Sequence, residues 1–327
     1  FVARYSPDGD LRWVRSATSN GPANSTTSCV SYSLKLDRQG DLVTAGGYSC
    51  AVASDQDPAL STLSYGGIPF RTTLYPGQAH VFAQKLDTLG NTIWLHSVGD
   101  ITYAPNDASE GFGTLVAVDV DAQNNVWLGG DCDANTNFNS RPVNLETEPF
   151  QPLVYELSPQ GQPLSAFVLP STTAGSVEDM ALAPNGDLFL GGYYNGTFNG
   201  SAAAQGADGF VVRTSPDGSI LWTKLLQGPQ NDYISGITTA PNAGVAIGCY
   251  YFYQASFGGE QLATGPGNNS AVFRADGAGN IVDVVQPDVL TGYSLIADVQ
   301  TDIFENIFVC GDVGGQVIFT NDTLTCL

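Results

Sequence analysis

Two hairpin patterns alternate from one end of the chain to the other, and this alternation constrains the fold more than any single motif. The first is strand, tight turn, strand: FVARYSPDGDLRWV from Phe1, VFAQKLDTLGNTIWL around Phe82, LVYELSPQGQPLSAF from Leu153, FVVRTSPDGSILWTK from Phe210 and AVFRADGAGNIVDVV from Ala271. Each copy places a glycine at the same point (Gly9, Gly90, Gly161, Gly218 and Gly279), where a type I turn ending at positive φ has no room for a Cβ. Trp13, Trp94 and Trp222 stand four residues further on. The second pattern is a hairpin that ends in a small-residue pair: Gly46-Gly47, Gly129-Gly130, Gly191-Gly192, Gly248-Cys249 and Cys310-Gly311. Missing bulk at those pairs predicts close backbone approach.

Strands of five to seven residues, apolar on alternate positions and bounded by turns, account for nearly the whole chain, and no 3.6-residue periodicity interrupts them. Ten hairpins in strict alternation predict an all-β fold, a five-bladed β-propeller of four-stranded antiparallel blades over residues 1–327. The small-residue hairpin supplies two strands of each blade and the Trp hairpin the other two. Because the chain opens on a Trp hairpin and ends on a small-residue one, residues 1–16 are expected to complete the blade begun by residues 294–311. That pairing would close the ring without a free sheet edge. A chain that starts at a strand, with Phe rather than Met, reads as a module of a longer protein.

The same segments resemble the seven-bladed β-propeller-type (SBBP) repeat family, with the likeness strongest at Phe1 to Trp13, Phe82 to Trp94, Val177 to Gly192 and Phe210 to Trp222. The resemblance implies a propeller from a secreted or surface protein of bacteria, and it implies no catalytic residues. Repeat number and spacing depart from that family, so the blade count of five comes from this chain alone.

Composition narrows the function classes. Eleven Lys and Arg against 32 Asp and Glu give a formal charge of -21, which repels phosphate backbones and anionic lipid and excludes nucleic acid as a partner. No run of 18 apolar residues is present, so membrane insertion through a helix is not expected. Six cysteines without a CxxC pair argue against zinc. Cys29 with Cys50, and Cys310 with Cys326, bracket hairpins at a spacing suited to bridges, and an oxidising extracellular or cell-surface location fits.

In a meander, tight turns and long connections fall on opposite sides, so the long connections are expected to carry the contacts. Their aromatic residues Tyr65, Phe70, Tyr75, Tyr193, Tyr194, Tyr251 and Tyr253 are the candidate binding patch, together with Tyr250. The segment from Asp131 through Asp133, Asn135 and Asn137 offers a side-chain oxygen at every second residue. It opens like a calcium loop but lacks the glycine and glutamate of an EF-hand, and an Asx-rich turn satisfying its own backbone is the favoured reading, with no cofactor. Glu178, Asp179, Asp298 and Asp119 are the carboxylates an acid–base mechanism would use, yet no nucleophile motif accompanies them or the two histidines, His80 and His96. The expected function is a non-enzymatic structural or interaction propeller of a surface, adhesive or filamentous assembly, binding protein partners or copies of itself. A lectin-like glycan binder and a carboxylate-dependent glycosidase or lyase are the alternatives.

Overall fold

The computed structural model describes residues 1–20, 26–51, 62–70, 80–98, 113–132, 137–138, 141–142, 150–171, 173–203, 206–240, 244–319 and 322–325. Among them every regular element is a β-strand, as the all-β expectation requires. The chain divides into two compact units, Phe1–Phe167 and Val168–Leu327.

In the first unit, Val2–Tyr5 and Leu11–Arg15 form a hairpin that is a sheet of its own. The first four-stranded meander runs through Thr26–Leu36, Leu42–Ala51, His80–Leu86 and Thr92–Val98. The second runs through Gly113–Val120, Val126–Cys132, Gln151–Leu157 and Pro163–Val168.

The second unit repeats the plan. Its third meander joins Ala174–Leu182, Leu188–Asn195, Asp208–Thr214 and Ile220–Gln227, and its fourth joins Tyr233–Thr239, Val245–Phe252, Asn268–Ala275 and Ile281–Val285. The fifth sheet has three strands, Asp288–Thr301, Ile307–Phe319 and Asp322–Thr325. Each small-residue hairpin therefore does pair with the Trp hairpin that follows it, in four sheets out of five.

The fifth sheet differs from expectation. Among the described residues the strands of 1–16 pair with each other, and Asp322–Thr325 supplies the third strand beside Gln316–Phe319. Ile307–Gly311 pairs with Ile296–Thr301, and Phe308 and Val309 are exposed.

One local device recurs in all five small-residue hairpins. The register slips by one residue at Ser31/Ser33, Leu115/Ala117, Val177/Asp179, Ile234/Gly236 and Ile296/Asp298, so each first strand carries a β-bulge. The bulge drives a carbonyl toward the partner strand. A Cβ on Gly46, Gly130, Gly192 or Gly311 would collide with the carbonyl oxygen of Val30, Thr114, Ser176 or Leu295. The bulge thus accounts for the glycine that faces it in four hairpins, and Cys249 stands at that place in the fourth sheet.

A second device joins neighbouring hairpins of the Trp type. The indole N–H of Trp13 donates to Thr88 O at 3.1 Å, that of Trp94 to Pro159 O at 3.0 Å and that of Trp222 to Gly277 O at 3.1 Å. All three acceptors stand two residues before a turn glycine. A Cβ on Gly90, Gly161 or Gly279 would lie 2.8, 2.8 or 2.9 Å from the ring that covers it. The turn glycine therefore serves twice, adopting positive φ and seating the indole of the preceding hairpin.

The cysteine expectation is only partly within reach. No disulfide forms among the described residues. Cys29 lies opposite Tyr48 and Cys50 opposite Thr27, a diagonal rather than a facing pair, and the Cys50 side chain is outside the described set. Cys310 is exposed, and Cys326 lies outside the described residues.

Candidate functional site

Among the described residues, several long connections contain short strands. Three contain miniature hairpins, Asn137–Phe138 with Arg141–Pro142, Thr197–Phe198 with Ser201–Ala202 and Ser256–Phe257 with Glu260–Gln261, and Thr62–Tyr65 with Ile68–Pro69 is a fourth. Each described aromatic of these inserts folds down onto the strand that follows. Phe198 stacks on Phe210 with centroids 4.3 Å apart, Phe257 meets Phe273 at 4.3 Å, and Phe70 stands edge-on to Phe82 at 5.3 Å.

This packing corrects most of the aromatic patch expected from sequence. Tyr65, Phe70, Tyr194 and Tyr251 are buried, and a ring closed in by its own insert offers no face to a ligand. Tyr65 donates to Arg15 O, and Tyr251 to Ala263 O at 2.6 Å. Tyr253 is exposed, in edge contact with Phe252 at 4.5 Å. Tyr75 lies outside the described residues.

The Asx ladder resolves in the same way. Asp131 belongs to a strand, is buried, and accepts the amide of Thr114 at 2.7 Å along with the Thr114 hydroxyl, so its carboxylate points into the sheet rather than a loop. Asn137 begins a miniature hairpin, and Asp133 and Asn135 lie outside the described residues.

Asp119, Asp179 and Asp298 accept the amides of Val120, Met180 and Val299 at 2.8, 2.8 and 2.7 Å, and the other oxygen of Asp179 accepts Ile237 N at 2.6 Å. Asp179 and Asp298 stand at their bulges, and Asp119 also pairs with Lys35 Nζ at 3.2 Å. His96 stacks on Tyr155 with its Nε2 3.3 Å from the phenol oxygen, and the His80 side chain is outside the described set.

One group remains half-buried and chemically varied. Tyr193 and Tyr250 directly follow the bulge-facing residues Gly192 and Cys249 of the third and fourth sheets, where the first, second and fifth sheets carry Gly47, Asp131 and Asp312. Tyr233 faces Tyr250 across the strand pair, their rings stacked at 5.2 Å, and meets Tyr193 edge-on at 5.4 Å. Glu178, the extra residue in the third sheet's bulge, lies close enough for its charge to act on both Tyr233 and Tyr250. Burial first, then neighbours including Glu178, raises both phenols, and Tyr250 is pushed up to about 12. Both stay protonated at neutral pH. The cluster thus offers three ring faces, hydroxyl donors and one carboxylate acceptor. Sequence reasoning reached Tyr193, Tyr250 and Glu178 separately and missed Tyr233, which sits before a bulge with no motif around it.

No family model matches the chain, and no curated protein matches it. Among solved structures, a gluconolactonase of Xanthomonas campestris is similar at 13% identity over 92% of this chain and 85% of that one, with a TM-score of 0.32. The extracellular domain of a hybrid two-component system from B. thetaiotaomicron is 11% identical, with a TM-score of 0.25, and the match spans 93% of this chain and 52% of that one.

Proposed function

We propose that the chain is a non-enzymatic extracellular interaction module, folded as a five-bladed β-propeller and working in a surface, adhesive or filamentous assembly through protein partners or copies of itself. One observation carries this reading. Asp119, Asp179 and Asp298 each accept a backbone amide, whereas Tyr193, Tyr233, Tyr250 and the fourth candidate carboxylate, Glu178, gather where the long connections leave the strands. Rigid aromatic rings beside a carboxylate suit recognition through ring faces, hydroxyls and one charge. The charge of -21 and the likeness to a secreted repeat family support an extracellular place.

Five blades in a closed ring is the finer form of the fold proposal, and register supports it. In four sheets the strand that carries the bulge-facing residue pairs with the next hairpin, Gly46 with Phe82, Gly130 with Leu153, Gly192 with Phe210 and Cys249 with Ala271. Carried to the fifth sheet, the same register sets Phe1 against Gly311 and Tyr5 against Ile307. It would cover Phe1, Tyr5, Phe308 and Val309, all exposed, and closure would also cover the apolar stripe Val30, Tyr32, Leu34 and Leu36. Removing residues 1–16 should lower the melting temperature and promote association. A truncated protein that melts unchanged as a monomer would refute closure.

A glycan ligand is the second reading, favoured by the tyrosine cluster itself, whose faces and phenols suit the apolar face and hydroxyls of a sugar ring. Sedimentation of the wild type and of Y193A/Y250A across a concentration series, a glycan array and turnover assays on aryl glycosides and lactones test both. Self-association or glycan binding lost in the double variant with unchanged melting supports a recognition surface there. Turnover that survives the double variant would sink the proposal.

A further inference from the structure

A cavity in the second unit lies where the repeat has lost two rings. Along one row of the third sheet stand Phe189, Arg213 and Trp222, and the same row of the fourth sheet reads Ala246, Arg274 and Asp283. Phe189 is fully buried in a cluster shared with Val245 and Ala275 of the fourth sheet, so its ring fills space between the two sheets, and Trp222 packs against that cluster. The fourth and fifth sheets meet in the same manner. Ile234 and Ile237 close over Gly191 in the first contact, and Ile296 and Val299 close over Gly248 in the second. Here, however, Ala246 brings no ring, and Asp283 pairs with Arg274 at 3.3 Å near the surface. What remains is a cavity of about 140 Å³ lined by Val245, Ala246, Ala275 and Ile307, with polar groups from Arg274 and Thr301. A cavity of about 150 Å³ is room enough for a benzene ring.

The first hairpin carries a ring of the right size. Tyr5 holds the place that Leu86, Leu157, Thr214 and Ala275 hold in the other hairpins of the Trp type, four residues before the turn glycine. Those four are buried, whereas Tyr5 is 59% exposed. The backbone is alike as well, since the ladder slips at Arg4/Tyr5 as it does at Arg274/Ala275. Ala275 stands opposite Val245, and the same register carried to the fifth sheet sets Tyr5 opposite Ile307, which lines the cavity. Sizes then alternate from one contact to the next. Phe189 is matched by an alanine on the following hairpin, and Ala246 is matched by a tyrosine.

We infer that this cavity is the seat of Tyr5, so that hairpin 1–16 is held by a ring set against the fourth sheet as well as by pairing with Ile307–Gly311. The inference rests on the closed-ring reading and adds to it the residue pair, Tyr5 with Ala246, that selects this hairpin for this place. Arg274 and Thr301 give the phenol hydroxyl the polar company that a buried tyrosine requires.

Melting of the full chain and its variants tests the seat. Ala246→Phe should lower the wild-type melting temperature by roughly 3 °C or more, because two rings contend for one space. In a Tyr5→Ala background the same substitution should raise it, since the new ring fills the space that Tyr5 has left. An Ala246→Phe shift of the same sign and size in both backgrounds overturns the proposal. Should that variant not fold, p-cresol, the tyrosine side chain as a free molecule, decides. At millimolar concentration it should raise the melting temperature of Tyr5→Ala and leave wild type unmoved, and an equal response of the two overturns the seat. Deleting residues 1–16 separates the two readings: a lowered melting temperature alongside equal Ala246→Phe shifts keeps the closed ring and removes only Tyr5 from the cavity. Opposite shifts in a protein that sediments as a dimer or larger would assign the cavity to a second copy's ring and overturn the seat within one chain.

Discussion

The indole seated on a turn glycine is the contact through which one Trp hairpin grips the next, and its energy can be isolated at Trp222 and Gly279. Trp222 is half-buried, lies 5.9 Å from the Phe189 ring and donates to Gly277 O. Complete truncation of a buried Trp costs about 3–5 kcal/mol, so a half-buried one removed to Ala should cost about 2–3, of which the hydrogen bond contributes about 1. Gly279→Ala meets two penalties. At φ 83° a Cβ costs about 1 kcal/mol in backbone strain, and its contact 2.9 Å from Trp222 Cδ2 forces the ring aside for about 1 more. Gly9→Ala isolates the first penalty, because Gly9 has a similar φ of 86° and nothing within 4 Å of a Cβ. In the W222A background the steric penalty disappears while the strain remains, so the double variant should be about 1 kcal/mol more stable than the sum of the singles. Urea unfolding followed by far-ultraviolet circular dichroism measures all four corners of the cycle. Additivity within about 0.3 kcal/mol, or a Gly279→Ala cost equal to that of Gly9→Ala, would show that the ring and the turn are neighbours without being coupled.

Other outcomes follow from the same geometry. Gly192→Ala, whose Cβ would collide with the Ser176 carbonyl, should destabilise by about 3 kcal/mol with no change in any binding that Y193A leaves intact, measured by the same urea titration. Glu305→Gly should stabilise by about 1 kcal/mol in calorimetry, since Glu305 holds φ 65° at a turn position where seven other copies use glycine. The exposed turn aspartates Asp87, Asp276 and Asp302 are held below the usual carboxylate range by the side-chain amides of Asn91, Asn280 and Asn306, and Asp217 by the Ser215 hydroxyl. Their folded values are depressed, so the stability they give is complete above about pH 4 and is lost as pH falls through the folded values. Melting temperatures of D87N and D276N should therefore converge with wild type near pH 2, and a gap that stays constant from pH 7 to pH 2 would contradict this assignment.

The strand and turn pattern was legible because it is written in local chemistry. A glycine at positive φ, an Asp accepting amides two and four residues on, and alternate apolar positions all act within one hairpin, so the pairing of a small-residue hairpin with the next Trp hairpin could be read directly in four sheets. The small pairs were visible too, although the bulge that requires them was not. What escaped the sequence lies between hairpins. The indole and its acceptor are 75, 65 and 55 residues apart in the three copies, and Ser165 and Asp283 stand where the other two hairpins would carry Trp, so no spacing announces the contact. Loop aromatics looked like a binding patch because composition cannot distinguish a ring turned outward from one folded onto Phe82, Phe210 or Phe273 by its own miniature hairpin. The gathering of Tyr193, Tyr233 and Tyr250 beside Glu178, and the cavity at Ala246, were likewise decided only by the packing of one sheet on another. Propensity and hydrogen bonding over a few residues fix each strand, whereas the environment of a side chain is set by whatever the chain brings back to it from a distance.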